Sequence, residues 1–113
     1  MDPAALASFA KELGSSAAEI VAEIIETFLH DTPELIAGMR AAVAADDALV
    51  LDRAAHTLKS SSATVGAMRL STHCRAVEEG ARAGRAAVLS DAVDDVAAEF
   101  ERVRMEFEAG IAA

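Results

Sequence analysis

A chain of 113 residues fits one domain and leaves no material for a second independent core. Its net charge of −9 argues against general nucleic-acid binding, which rewards basic clusters, and its single cysteine, Cys74, cannot close an internal disulfide, so a reducing cytoplasm is the expected compartment. No basic-then-apolar leader opens the sequence, and no uncharged apolar run approaches the roughly 20 residues that span a bilayer, so no membrane association is expected.

Apolar residues recur at three- and four-residue spacing along the whole chain, which predicts an all-α fold. A short first helix over residues 3–13 carries Leu6, Phe9, Ala10 and Leu13 on one stripe, with Gly14 as its stop. Ser16 and Glu19 form a capping box that opens a second helix, whose apolar face of Ile20, Val21, Ile24, Ile25, Phe28 and Leu29 fades near Asp31. Thr32-Pro33-Glu34 then predicts a fresh start, because Thr caps well and Pro suits the first helical position; this third helix should end near Ala45. Asp46 or Asp47 caps a fourth, which runs to about Val65, where Gly66 offers a left-handed stop. A fifth over residues 67–83 presents Leu70, Cys74, Val77 and Ala81 and stops at Gly84. The last begins between Arg85 and Ser90 and keeps Leu89, Val93, Val96, Phe100, Val103 and Phe107 on a bundle-like seam. The simplest architecture is an antiparallel four-helix bundle with one or two short accessory helices, residues 1–113 forming a single domain.

On the fourth helix each residue turns about 100°, and His56 points away from the apolar side. Leu51, Ala54, Leu58 and Val65 fall within about 40° of the opposite direction, whereas Asp52, Arg53, Ser60 and Ala63 fall within about 60° on the side of His56, with Lys59 near that limit. The imidazole should therefore stand in solvent beside a cation and small residues. Residues 53–85 hold six basic side chains against two acidic ones, so the one basic segment of the chain surrounds His56. A neutral imidazole nitrogen is nucleophilic near neutral pH, and Lys59, one turn on, can meet charge shifting onto transferred oxygens. Ser60 and Ala63 leave the surface low enough for another protein to close over the ring. Geometry alone leaves open an ordinary exposed histidine with a lysine neighbour.

The run His56-Thr57-Leu58-Lys59-Ser60-Ser61-Ser62, followed by Val65-Gly66-Ala67, Leu70, Cys74 and Glu78, resembles the signature of the histidine-containing phosphotransfer (HPt) domain family. Residues 28–35 resemble that family's entry into its bundle, so the likeness covers roughly half the chain. The resemblance implies a four-helix bundle in which His56 is the phosphoacceptor and Lys59 stabilises phosphoryl charge. It implies a phosphorelay intermediate that accepts the group from a receiver-domain aspartate and passes it to another receiver. The partners implied are the receiver domains of response regulators and hybrid histidine kinases, met by a monomer that binds no nucleic acid. No cofactor is expected on this chain, and Mg²⁺ is expected in the partner receiver domain. Ser60 stands where the family usually has Gly, and its hydroxyl could bond the phosphoryl group or hinder docking.

Arg53, Ser60, Ala63, Glu78 and Arg82 are assigned to the docking surface. Glu78 and Arg82 fall where some members of the family place polar residues near the imidazole, although their spacing equally suits an i,i+4 ion pair. No Gly-rich phosphate loop is present, so the chain reads as a phosphotransfer protein rather than an autonomous kinase. The alternative function is a helical module that docks receiver domains without accepting phosphate. Cys74 reads as a buried, inert thiol, and His30 and His73 as flank residues. No metal site is expected, since no Glu-x-x-His pair occurs. Ser61 and Ser62 face partly inward, where they can bond carbonyls one turn back.

Overall fold

The computed structural model describes residues 15–112, with side chains over 17–110, so the helix expected over residues 3–13 lies outside the described residues, as does the Ser16 side chain of the expected capping box. Four α-helices follow one another: α1 (Ser15–Ala44), α2 (Ala48–Thr64), α3 (Met68–Arg82) and α4 (Ser90–Ala112), with a 3-10 turn (Ala86–Val88) before α4. The connections are short, so successive helices run antiparallel. Helix α2 packs most extensively on α3, and α4 packs on α3 and α1, which leaves α2 and α4 across the diagonal of the bundle.

One expectation is corrected. The separate second and third helices are a single 30-residue element that passes through Pro33. An interior proline costs roughly 3 kcal/mol because it removes one backbone donor and crowds the preceding turn. The apolar stripe nevertheless continues in register across it, from Val21, Ile25 and Phe28 to Ile36, Met39 and Ala42, all buried. Burying side chains the size of Ile36 and Met39 contributes about 1.5–3 kcal/mol each, enough to offset the proline. Pro33 faces solvent, and Thr32, expected as a cap, is buried with its hydroxyl donating to the Phe28 carbonyl at 2.6 Å. At 1.5 Å per residue the fused helix spans about 45 Å, in keeping with the 46 Å long dimension of the molecule.

The turns follow local chemistry. Asp46 takes the left-handed conformation (φ 52°) and Asp47 caps α2, its carboxylate accepting from the Val50 amide at 3.2 Å. Gly66 (φ 80°) and Gly84 (φ 75°) close α2 and α3 in the left-handed region that a side chain resists. The core is continuous. Leu51, Leu58, Leu70, Val77, Val93, Val96 and Phe100 are fully or almost fully enclosed, and the Phe28 ring meets Phe100 edge-on at 5.8 Å. The seam anticipated on the last helix is buried from Val93 to Phe107, with Leu89 partly buried against the close approach at Gly80, where a Cβ would stand 2.8 Å from a Leu89 methyl.

Candidate functional site

On α2 the buried positions Leu51, Ala55, Leu58 and Ser62 are spaced three and four apart, and His56, one step around from Ala55, is carried out of the core. Its side chain is 58% exposed, yet the ring is not free to spin. Nδ1 lies 2.6 Å from Oε2 of Glu78, which α3 holds almost wholly buried beneath the imidazole. Lys59 Nζ donates to the other oxygen, Oε1, at 2.7 Å. Arg82, one turn along α3, donates from Nη2 to Glu78 Oε2 at 3.3 Å and from Nε to Asp52 Oδ1 at 3.1 Å. Ser71 Oγ donates to the Lys59 carbonyl at 3.1 Å, clasping α3 to α2 beside the ring.

A buried carboxylate is stable only when its oxygens are bonded, and here His56, Lys59 and Arg82 converge on one. The Lys59 hydrogen bond is the main influence holding the Glu78 carboxyl below its ordinary range; burial opposes it, and His56 and Arg82 add to it. An ionised carboxylate can only accept, so the imidazole must carry a proton on Nδ1, and in the neutral ring Nε2 is then the unprotonated lone pair. Nε2 has no protein partner among the described residues. Such an arrangement orients a solvent-facing imidazole whose neutral form can act as a nucleophile, with cations at hand.

The structure brings His56 and Lys59 together as expected from the sequence, and Arg53, Ser60 and Ala63 are exposed along the same side of α2. Arg82 is exposed and spans two carboxylates. Glu78 departs from its expected place: its side chain is 4% exposed, so it underlies the imidazole instead of lining a docking surface. The i,i+4 pair with Arg82 and the contact with His56 exist together, so the two readings of Glu78 were not alternatives. Lys59 does not reach outward over the ring but is engaged on Glu78.

Two shallow hollows open beside the site, one bordered by the imidazole and the other past Lys59. One, of about 400 Å³, is walled by Asp52, Arg53, His56, Thr57 and Arg82; another, of about 300 Å³, includes Lys59, Ser60, Ala63 and Arg75. An apolar groove between α1 and α2, with Ile20, Ile24 and Leu35 in its walls, reaches the site at Thr57. Cys74 is fully buried and desolvation pushes its thiol up to about 12, so it is an inert core residue. His30 is exposed beside Asp31, at 3.1 Å, and His73 is half-buried on α3. Among the described residues no group of three or more His, Cys, Asp or Glu is placed to hold a metal ion, and no helix is long and apolar enough to cross a membrane. Ser61 Oγ bonds the Leu58 carbonyl at 3.3 Å, whereas the Ser62 hydroxyl is buried without a partner.

Comparison with known proteins bears on this geometry. The family model of the Hpt domain matches residues 23–106. The fold is similar to the crystal structure of histidine-containing phosphotransfer protein B (HptB) from Pseudomonas aeruginosa PAO1, with a TM-score of 0.83, 30% sequence identity, and coverage of 97% of this chain and 92% of that one. A search of the curated proteins finds no match.

Proposed function

We propose that this chain, which belongs to the Hpt domain family of phosphorelay carriers, takes a phosphoryl group onto Nε2 of His56 from a receiver-domain aspartate and passes it to another receiver. The observation that carries this reading is the 2.6 Å contact between His56 Nδ1 and the buried Glu78, because it directs the lone pair of Nε2 outward.

The step balances without moving a proton. Nε2 attacks phosphorus in line, the N–P bond forms as the aspartyl O–P bond breaks, and the electron pair of that bond leaves on the aspartate carboxylate. The Nδ1 proton stays in place, so the phosphorylated ring becomes cationic directly above the Glu78 carboxylate, which stabilises it. Onward transfer runs along the same path in reverse. Lys59 shares its charge between Glu78 and the phosphoryl oxygens, and Ser60 and Ala63 keep the approach low. A Mg²⁺ ion held in the receiver's pocket would supply further counter-charge.

Incubation with a phosphorylated receiver domain tests the reading. The chain should take up label on His56 in an acid-labile, base-stable form. His56→Gln should take up none and keep its helicity, since Lys59 and Arg82 still serve the Glu78 carboxylate and the bond lost is of about 1.5–3 kcal/mol. Label retained by that variant on another residue refutes the assignment. A stable complex in which all label stays on the receiver would favour the non-transferring module.

A further inference from the structure

Of the ten Lys and Arg residues, Lys11 lies outside the described residues; of the other nine, Arg40, Lys59, Arg69, Arg82, Arg102 and Arg104 sit within 4 Å of a carboxylate. Arg53, Arg75 and Arg85 have no ion-pair partner among the described residues. Arg85 lies in the turn after α3 and walls neither the hollow at His56 nor the one at Lys59. The other two divide between those hollows, Arg53 on the α2 side with His56 itself and Arg75 on the α3 side with Lys59 and Ser60. Both are exposed. Within the site Lys59 and Arg82 are balanced by Glu78 and Asp52, so the uncompensated charge around the imidazole is that of these two guanidinium groups. In a chain of net −9 with nineteen acidic residues, these two unpaired cations, one in the hollow of His56 and one in the hollow of Lys59, contribute no ion pair to the fold.

We infer that Arg53 and Arg75 are a pair of electrostatic guides that draw the acidic rim of a receiver's phosphorylation pocket onto His56. The inference rests on the carrier function proposed above. A pocket that holds a reactive aspartate and a Mg²⁺ ion must present oxygen ligands, chiefly carboxylates, around its mouth. Such a rim is repelled by the remainder of this acidic chain and attracted only at the site. Screening decides between the two: with a Debye length of about 8 Å at physiological salt, the distant negative charge is damped, whereas cations lining the hollows at His56 and Lys59 meet a docking rim at short range. Rim charges of this kind raise the rate of encounter and its salt dependence more than they alter the bound complex. Arg53 and Arg75 therefore govern how fast a receiver finds His56 and not how fast phosphate moves once it has docked.

The test uses Arg53→Gln/Arg75→Gln and, as a control of equal net charge, Ala98→Glu/Ala109→Glu on exposed positions of α4, the helix diagonal to α2. Transfer from a phosphorylated receiver domain to each full chain is followed by rapid quench over receiver concentration and salt, with circular dichroism as the folding check. The arginine variant should lose about three- to tenfold in second-order rate constant at low salt. Its rate at saturating receiver should stay within about twofold of wild type, and the gap should close near 1 M salt, where the Debye length is about 3 Å. The control should match wild type. Equal rates for the arginine variant and wild type, an equal loss in the control, or a loss confined to the saturated rate would each overturn the guides while leaving His56 as the carrier. If wild type takes no label, the carrier function falls and the guides fall with it.

Discussion

Glu78→Gln separates charge from shape at the centre of the site. The amide occupies nearly the same volume, and Arg82 keeps Asp52 as a partner, so the bundle should fold. Glu78 serves three donors, with His56 Nδ1 at 2.6 Å and Arg82 Nη2 at 3.3 Å on Oε2 and Lys59 Nζ at 2.7 Å on Oε1. An amide offers one oxygen and one NH₂ in the same space, so one donor must lose its acceptor. Lys59 can turn to water, because its side chain is already 27% exposed. The imidazole cannot keep Nδ1–H against an NH₂ group; it must either claim the amide oxygen or invert its tautomer and protonate Nε2.

In the first case a charge-assisted hydrogen bond of about 1.5–3 kcal/mol becomes a neutral one of about 0.5–1.5 kcal/mol. If that difference of about 1–1.5 kcal/mol is expressed in the transition state, where the ring turns cationic, transfer slows about five- to thirteenfold. In the second case the nucleophilic lone pair is occupied and the loss is larger. Rapid-quench transfer from a saturating phosphorylated receiver gives the rate, and the ¹⁵N shifts of the His56 ring report the tautomer. The wild type should show a protonated Nδ1 and an unprotonated Nε2. A glutamine variant that transfers at the wild-type rate, or a wild-type ring protonated on Nε2, would refute the assignment of Glu78 as the residue that sets the nucleophile.

Three further outcomes are expected. Lys59→Ala should slow transfer within the complex more than it weakens receiver binding, measured by single-turnover kinetics beside a binding titration; the opposite split would make Lys59 a docking residue. Ser60→Gln should cut transfer at least about tenfold and Ser60→Glu further, with unchanged helicity because the position is exposed, whereas rates equal to wild type would mean that receivers do not approach across this side of α2. The carboxyls of Glu78, held down chiefly by Lys59, and of Glu99, held down chiefly by Arg102, lie below their ordinary value of 4.5. Their stabilisation is therefore present above that value and lost as pH falls through the folded values, so the melting temperature should decline from about pH 4.5 downward. A melting temperature that rises with acid in that window would contradict both ion pairs.

The helices from Asp47 onward were legible in the sequence because the start of α2 and the ends of α2 and α3 have local causes. Asp47 caps with its own carboxylate, and Gly66 and Gly84 adopt the positive φ that their positions as stops require. Pro33 was misread for an equally physical reason. The Thr-Pro-Glu triplet fits a helix start, and nothing within those three residues tells that the stripe on either side is in register. The register appears only when residues 21–42 are laid on one helical wheel, where the stripe around Thr32 stays inward and Pro33 turns to solvent. Local capping chemistry and long-range apolar phase conflict there, and the phase prevails because the core buries several side chains against the cost of one interior proline.

The site was legible only as far as one helix reaches. His56, Lys59 and Ser60 lie within two turns of each other on α2, and a rotation of 100° per residue places them. Glu78 is 22 residues away, and no spacing rule connects it to His56. It did leave a trace, since it lies on the buried stripe of α3, one position past Val77, four past Cys74 and three before Ala81. A carboxylate on such a stripe requires donors. Glu99 poses the same problem on α4, between Val96 and Val103, and the sequence supplies the answer three residues on, where Arg102 donates to both of its oxygens at 2.9 and 2.7 Å. For Glu78 the i+4 residue Arg82 offers one bond at 3.3 Å and faces mostly outward, which leaves the carboxylate short of donors on its own helix. Its remaining partners had to come from the helix packed against it, and α2 presents two unsatisfied donors one turn apart, an imidazole and an ammonium. A buried acid with too few local partners, opposite an exposed histidine, is thus the physical signature by which the tautomer-setting residue of such a site can be found before the fold is known.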